Sequence, residues 1–329
     1  MEYSSTNEFD METLFTSFGF SKLAKHKKFD IDTFQQNDIL FLWNRDEGFA
    51  GQFRESHGPS ICGMGMYVED AQAAYEAAVK GGARAFDATE KTQIPFDLPA
   101  IYGIGDSVIY FVDDPKGLFE ANFADHPTPN KVEDKGFLMI DHLTNNVQKG
   151  TMETWSNFYK NVFGFEEVRH FDIRGEKTGL FSYALRSPDG SFCIPINEGT
   201  EEKSQIEEYL REYKGAGIQH VAFLSEELLT SLDKMEGTGV NFLDIDDEYY
   251  AEVFERVPNV TEDREHIRRH NVLVDGDDEG YLLQIFTKNV IGPIFFELIQ
   301  RKNHYSFGEG NFGALFRSIE RDQEKRGVL

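Results

Sequence analysis

Three polar residues in the C-terminal half of the chain have the types and settings expected of metal ligands. His142, His220 and Glu297 each lie inside a short run rich in Ile, Val, Leu and Phe, which predicts three separate strands. Two imidazoles and one carboxylate form the facial ligand set that holds a mononuclear non-haem Fe(II) ion and leaves other coordination positions open. If the three strands converge, these residues predict an iron centre.

Each of these residues also has an ordinary structural explanation. A single histidine in a strand is commonly a core or edge residue. An ionised Glu297 inside the apolar run 294–299 would be costly to bury without a cation or metal, although an edge strand facing water would also accommodate it. Together the three favour a metal site. Iron fits best because neither cysteine lies near a candidate ligand and a closed structural zinc site would need a fourth ligand.

A weak internal repeat organises the chain around these residues. Residues 61–83 align without a gap with residues 218–240, and residues 11–20 resemble residues 152–165. The copies indicate a strand, an amphipathic helix and a helix end marked by glycine. We expect an α+β fold of four strand–helix–strand–strand–strand (βαβββ) units, paired into two open, barrel-like domains and followed by a C-terminal lid helix.

Turn signals and one polar segment divide the chain further. Polar turns that contain glycine predict hairpins at residues 114–119, 187–192 and 278–282. The polar segment 125–135 holds two prolines and predicts a linker between an N-terminal domain (1–128) and a C-terminal catalytic domain (129–329).

The repeat also predicts different roles for the two domains. Gly63 aligns with His220, so the N-terminal domain is expected to lack the metal site and to be structural or oligomer-forming. The last segment, 307–323, begins with a glycine-rich loop and continues as an amphipathic helix for which Asn311 is the predicted N-cap. This helix is either a packing element or a lid over the pocket.

Composition excludes several classes of function. The chain has 329 residues, 40% hydrophobic and 28% charged, with a formal net charge of −25. This balance argues against binding to nucleic acid or to anionic membranes, which both need clustered basic residues. Two cysteines, no leader-like start and no long apolar run predict a cytoplasmic protein.

The pattern of the strands predicts the lining of a pocket. Alternate residues share one face of a strand, so Gln284 and Phe286 point the same way, and Ser182 and Asn197 are each polar among apolar neighbours. An apolar slot with a few amides suits a phenol. The remaining histidines, in charged or turn-like stretches, are predicted to lie at the surface: His26, His57, His126, His170, His266, His270 and His304.

Seven motifs of the C-terminal half together resemble the 4-hydroxyphenylpyruvate dioxygenase family of the vicinal oxygen chelate superfamily. They are IDHL with Asn146, PINE at 195–198, KSQI at 203–206, GAGIQHVA at 215–222, LLQIFT at 282–287, FFELIQR at 295–301, and GEGNF with Leu315-Phe316. The resemblance implies that His142, His220 and Glu297 bind Fe(II). It implies that the following residues line the substrate pocket: Ser182, Asn197, Gln205, Gln284, Phe286, Phe295, Phe307, Asn311 and Phe312.

The resemblance also implies a reaction. Members of this family convert 4-hydroxyphenylpyruvate and O₂ into homogentisate and CO₂ in tyrosine breakdown, and the substrate supplies its own 2-oxo acid. A homo-oligomer, dimer or tetramer, is expected. The main alternative is a 4-hydroxymandelate synthase, which oxidises the benzylic carbon instead. A non-enzymatic protein that binds an aromatic ligand on the same fold is a second alternative, and a metal-dependent lyase or ring-cleaving dioxygenase is a lesser one.

Overall fold

A computed structural model of the chain describes residues 1–89 and 92–329, which form two eight-stranded mixed sheets. The N-terminal sheet contains β1 (Glu2–Ser4), β2 (Ser21–His26), β3 (Ile31–Gln36), β4 (Ile39–Asn44), β5 (Ser60–Tyr67), β6 (Ala100–Tyr102), β7 (Val108–Val112) and β8 (Phe123–Asn130). The C-terminal sheet contains β9 (Phe137–Val147), β10 (Glu166–Arg174), β11 (Gly179–Arg186), β12 (Cys193–Gly199), β13 (Gly217–Ser225), β14 (Leu273–Gly276), β15 (Tyr281–Phe286) and β16 (Phe295–Lys302).

Ten α-helices of the described chain flank the sheets. They are α1 (Met11–Ser17), α2 (Phe49–His57), α3 (Ala71–Lys80), α4 (Pro115–Asn122), α5 (Met152–Phe163), α6 (Gln205–Tyr213), α7 (Leu228–Met235), α8 (Asp247–Arg256), α9 (Arg264–Arg269) and α10 (Phe312–Lys325). The repeated helix ends follow the predicted chemistry. Gly164, for example, terminates α5 in the left-handed conformation at a φ of 69°. No helix among the described residues is long and apolar enough to span a membrane.

The strand order confirms the predicted α+β fold of four related units. In each unit the first strand pairs in parallel with the last: β1 with β4, β5 with β7, β9 with β12, and β13 with β16. The first strands of two units then pair antiparallel in the middle of each sheet, β1 with β5 and β9 with β13. The second unit is reduced, since one of its strands is only a bridge between Ala85 and Ile101.

Two local predictions are wrong, each for a clear reason. Residues 115–122 form helix α4 rather than a hairpin turn, because Asp114 caps the helix by accepting a hydrogen bond from the amide of Gly117 at 2.9 Å and proline suits the first helical turn. The predicted linker is wrong for residues 125–130, which belong to strand β8, whereas residues 131–135 lie between the two sheets outside helices and strands. The prolines of β8 are tolerated because, among the described strands, β8 lies at the edge of the sheet and pairs with β2 alone.

Two of the histidines predicted to be exposed are buried in the N-terminal domain. His26 is 5% exposed and His126 is 9% exposed. The Nε2 atom of His126 lies 3.1 Å from a carboxylate oxygen of Asp32, which supplies the polar partner that burial requires. The surface prediction is therefore wrong for these two residues.

Aromatic packing between the two sheets holds the site-bearing strands in place. Phe18 of the N-terminal half packs edge-on against Phe296 at 5.1 Å, and Phe20 packs against Phe223 at 5.7 Å. Phe223 lies on β13 and Phe296 on β16, and both are fully buried. Because neighbouring residues of a strand point to opposite faces, burying these rings directs Ala222 and Glu297 to the other face of the sheet.

Candidate metal centre and substrate pocket

The three predicted ligands lie on three adjacent strands of the C-terminal sheet. Ala222 on β13 pairs across the sheet with His142 on β9 and with Glu297 on β16. His220 precedes Ala222 by two residues and therefore shares its face. The short side chain of Ala222 leaves the space between the ligands open.

The donor atoms of these side chains form a nearly equilateral triangle. The Nε2 atom of His142 lies 3.2 Å from Oε2 of Glu297, and the Nε2 atom of His220 lies 3.4 Å from the same oxygen. The two Nε2 atoms are 3.4 Å apart. Donors about 2.1 Å from one ion and about 90–110° apart are separated by roughly 3.0–3.4 Å. The triangle therefore fits a single divalent metal ion bound on one face.

A strand irregularity beside each histidine sets its orientation. The pairing of β9 with β13 shifts by one residue at Asp141 and again at Gln219, which makes each an extra, bulged residue next to a ligand. An oxygen of Asp141 lies 2.7 Å from Nδ1 of His142, and Oε1 of Gln219 lies 3.1 Å from Nδ1 of His220. Both oxygens can accept the Nδ1–H proton, so each Nε2 lone pair is free for a metal.

Arg301 connects the His142 side of the site to the loop that precedes the C-terminal helix. Its Nε and Nη2 atoms donate to the two oxygens of Asp141 at 2.7 and 2.8 Å. Its Nη1 atom donates to the carbonyl oxygens of Ser306 at 2.7 Å and His304 at 3.2 Å. A bidentate pair of this kind holds Asp141 in one position, and through it the imidazole of His142.

Electrostatic interactions within the triangle favour one proton shared between His142 and Glu297. Burial disfavours the charged imidazolium of His142, but the carboxylates of Glu297 and Asp141 outweigh burial and raise its pKa to about 9. Burial alone would raise the pKa of Glu297, yet the two histidines lower it to about 2. Burial lowers the pKa of His220. These shifts favour the ionised form of Glu297 and the protonated form of His142.

Metal binding at neutral pH is therefore expected to displace a proton from His142. A ligating imidazole must be neutral, and the pKa of about 9 keeps His142 protonated below that pH. We expect about one proton to be released per metal ion at pH 7, and an apparent affinity that rises about tenfold per pH unit up to pH 9. Calorimetry in buffers of different ionisation enthalpy measures the released proton. Absence of release at pH 7 would contradict the raised pKa.

The predicted site residues line a single cavity next to the triangle. Its walls include the three ligands together with Ser182, Asn197, Gln205, Gln284, Phe286, Phe295, Phe307, Asn311 and Phe312. The cavity measures about 100 Å³, smaller than the roughly 300–1,000 Å³ of most ligand pockets. Side chains of α10, among them Phe312, Phe316 and Ile319, form part of its wall.

A hydrogen-bonded chain leads from the candidate ligand Glu297 to the start of α10. Gln284 donates to Oε1 of Glu297 at 2.9 Å, and Asn311 donates to Oε1 of Gln284 at 3.0 Å. The hydroxyl of Tyr249 donates to Oδ1 of Asn311 at 2.7 Å. The amide of Asn311 is thus engaged with the pocket rather than with the first turn of α10, so its predicted capping role is wrong although it occupies the N-cap position.

Several residues of the site were not among the predicted ones. Phe171 of β10 lines the cavity, and its ring packs edge-on against that of Phe312 at 5.2 Å. Its alternation with Ile173, also on the cavity wall, was the available signal. Asp141 and Arg301 are oppositely charged residues within the motifs that contain His142 and Glu297. Their contact was not predicted because it joins strands 160 positions apart in the chain.

Comparison with known proteins places the chain in a family. Residues 1–124 match the model of the hydroxyphenylpyruvate dioxygenase N-terminal domain, and residues 139–282 match that of the glyoxalase/bleomycin resistance protein/dioxygenase superfamily. The chain is 59% identical to protein MelA of Shewanella colwelliana, covering 97% of this chain and 93% of that protein. It is 43% identical to the 4-hydroxyphenylpyruvate dioxygenase of Legionella pneumophila, covering 100% of this chain and 95% of that one.

Solved structures share the whole fold. A fusion of a xylose isomerase-like TIM barrel with a 4-hydroxyphenylpyruvate dioxygenase superposes with a TM-score of 0.83 at 26% identity; the match covers 97% of this chain and 51% of the fusion, so the chain spans about half of that protein. A mutant of 4-hydroxymandelate synthase from Streptomyces coelicolor superposes with a TM-score of 0.82 at 24% identity, covering 98% and 97%, which is a likeness of fold alone.

Fold and donor set define a member of the glyoxalase/dioxygenase superfamily with a candidate metal centre in its C-terminal sheet. The 43% identity to the 4-hydroxyphenylpyruvate dioxygenase of Legionella pneumophila, over the full length of the chain, identifies the family within this superfamily. The chain belongs to the 4-hydroxyphenylpyruvate dioxygenase family.

Proposed function

We propose that the protein is a 4-hydroxyphenylpyruvate dioxygenase that uses Fe(II) and O₂ to form homogentisate and CO₂. The observation that carries the proposal is the buried triangle of His142, His220 and Glu297, which opens onto an apolar cavity edged by amides. Relatives that match over the full length of the chain bear the name of this activity.

The donor set supports Fe(II) as the metal. Two imidazole nitrogens and one carboxylate oxygen occupy one face of an ion, as in non-haem Fe(II) oxygenases. When bound, such an ion supplies open positions at which a 2-oxo acid and O₂ meet and electrons are transferred. Gln284 orients Glu297 by holding Oε1, so that Oε2 faces the histidines.

The cavity wall indicates how the substrate is held. The rings of Phe295, Phe307 and Phe312 offer apolar surfaces for a phenyl ring. Ser182 and Asn197 face each other across β11 and β12 and supply polar groups on the same wall. Both are buried, at 4% and 7% exposed, so a polar substrate atom there would bond to protein rather than to bulk water.

We further propose that α10 is a lid. Besides its cavity-lining residues, α10 carries Glu320, whose carboxylate accepts hydrogen bonds from the backbone amides of Glu176, Lys177 and Thr178 at 2.9–3.1 Å. It also accepts from the hydroxyl of Thr178 at 2.9 Å. Glu320 is 5% exposed and so latches α10 onto the turn between β10 and β11.

Replacing Glu320 by alanine is expected to loosen this latch. Four bonds to a charged acceptor are lost, and hydrogen bonds of that kind each contribute about 1.5–3 kcal/mol. We expect amide exchange in 312–325 to accelerate at least tenfold and KM to change more than kcat. Hydrogen exchange by mass spectrometry and steady-state kinetics measure this. The control is Lys325→Ala, an exposed residue of the same helix that pairs with Asp244 at 3.9 Å. Equal exchange in both variants would contradict the latch.

Product analysis tests the function itself. The metal-free protein is loaded with Fe(II) under ascorbate and mixed with 4-hydroxyphenylpyruvate, while O₂ consumption is followed and products are separated. Homogentisate supports the proposal. 4-Hydroxymandelate would indicate the synthase alternative, and bound ligand without O₂ consumption would indicate a binding protein.

The N-terminal domain, 1–128, is proposed to be structural and to take part in a homo-oligomer, dimer or tetramer. By strand register, Gly63 and Tyr110 occupy the positions of His220 and Glu297, and the Tyr110 hydroxyl donates to Glu2 at 2.9 Å. Tyr67 and Met139, 74% and 39% exposed, edge one groove between the domains, which suits a partner surface. A cytoplasmic location is proposed with it, in keeping with two free cysteines.

A further inference from the structure

A second group of metal-binding side chains lies at the surface, outside the pocket. Asp233 of α7 faces His266 and His270 at the end of α9, and their possible ligand atoms all lie within 4.8 Å of one another. The Nε2 atoms of both histidines are 2.9 Å from the same oxygen, Oδ1 of Asp233. We propose that Asp233, His266 and His270 form a second site that binds a divalent transition-metal ion such as Zn²⁺.

The spacing of the histidines supports a shared ion. His266 lies in α9 and His270 is the residue that caps the C-terminal end of this helix, four positions later, with ring centroids 5.1 Å apart. Zinc-binding pairs of histidines on helices have the same four-residue spacing. A carboxylate from another helix completes three donors, and Oε1 of Glu236, 4.0 Å from Nε2 of His270, is available as a fourth.

The guanidinium of Arg269 lies among the same three side chains. Nη2 of Arg269 lies 3.2 Å from Nε2 of His266 and 3.0 Å from Nε2 of His270, and it donates to Asp233 at 2.5 Å. Arg269 is 58% exposed on its side chain, so it can swing into water without burying a charge. Arg269 therefore competes with the metal, and its removal favours binding.

The chemistry of the donors selects the ion. Imidazole with carboxylate suits Zn²⁺, Ni²⁺ and Cu²⁺, and the general order of affinities puts these above Fe²⁺. The side chains of Asp233 and His266 are 43% and 27% exposed, so this ion would exchange with solvent more readily than one in the buried centre. The site would bridge α7 and α9 independently of the reaction proposed for the pocket.

Zn²⁺ titration of the full-length, chelator-treated protein by calorimetry tests the proposal. We expect two Zn²⁺ per chain for the unmodified protein, one for His142→Ala and one for His270→Ala. Asp233→Asn keeps an acceptor oxygen, so it removes the negative charge without separating α7 from α9. We expect the Zn²⁺ affinity of the second site to fall about 10–100-fold in this variant. Arg269→Ala should tighten the same site at least threefold.

The exposed histidine His170 serves as control, and His170→Ala should leave two sites. A single Zn²⁺ per chain that disappears in His142→Ala would overturn the proposal, as would unchanged or weaker binding in Arg269→Ala. Circular dichroism of each variant establishes that the overall secondary structure is retained. Because His142→Ala and His270→Ala remove different sites, the result is independent of whether the pocket turns over 4-hydroxyphenylpyruvate.

Discussion

Replacing His220 by alanine is expected to abolish turnover of 4-hydroxyphenylpyruvate while leaving the fold intact. The variant loses one of three donors that lie 3.2–3.4 Å apart, and two donors do not hold a catalytic ion in place. We expect a fall in kcat of at least about 1,000-fold and a matching loss of bound iron. Initial rates of O₂ consumption and metal analysis of the purified variant measure the two effects.

The fold should survive because the burial of β13 does not depend on the imidazole. Phe223 and Val221 point into the aromatic core, whereas His220 points into the pocket and stacks on Phe295 at 4.8 Å. His170→Ala, at an exposed position, is the matched control and should retain full activity. Retained turnover in His220→Ala with stoichiometric iron would remove His220 from the ligand set.

Replacing Arg301 by leucine is expected to cause the largest loss of stability among single changes near the site. Arg301 and Asp141 form a bidentate pair with side chains 13% and 12% exposed, and the variant leaves Asp141 without its cation. Breaking such a pair on one side costs about 3–5 kcal/mol in the free energy of unfolding. Because Asp141 also orients His142, we expect metal affinity to fall about 10–100-fold.

Denaturant unfolding and Fe(II) titration measure these two effects. Arg301→Leu combined with Asp141→Asn should recover most of the stability, because no unpaired buried charge remains, but not the metal affinity. The surface control is Arg268→Leu, whose pair with Asp247 is 47% and 80% exposed and should change stability by about 1 kcal/mol or less. Equal losses in Arg301→Leu and Arg268→Leu would contradict the role assigned to Arg301.

The largest errors of sequence-based prediction arose where local signals have two structural meanings. The pair Asp114-Pro115 is compatible with the start of a turn or of a helix, and the helix forms because Asp114 caps it. The prolines of 125–130 suggest a linker, yet an edge strand accepts them since one of its sides needs no partner. His126 sits in that polar stretch but is buried, because Asp32 on a strand 94 positions earlier in the chain provides its partner.

Residue types and their alternation were enough to predict which side chains meet at the candidate site. His142, His220 and Glu297 stand out because imidazoles and a carboxylate are unusual inside apolar strands, and the repeat relates the strands that carry the two histidines. The same alternation indicated pocket-facing positions such as Gln284 and Phe286, which line the cavity. These inferences need only the period of a strand, which is a local property of the chain.

Only the tertiary structure shows how the side chains of the site are oriented and how α10 packs over the pocket. The bulges at Asp141 and Gln219 depend on which strand lies alongside, and a shift of one residue in register reverses the direction of every side chain. The pairing of Asp141 with Arg301 and the latch of Glu320 onto the turn at 176–178 likewise join segments more than a hundred residues apart. The number of residues between two such segments does not give the distance between them in space, because the packing of the whole sheet sets that distance.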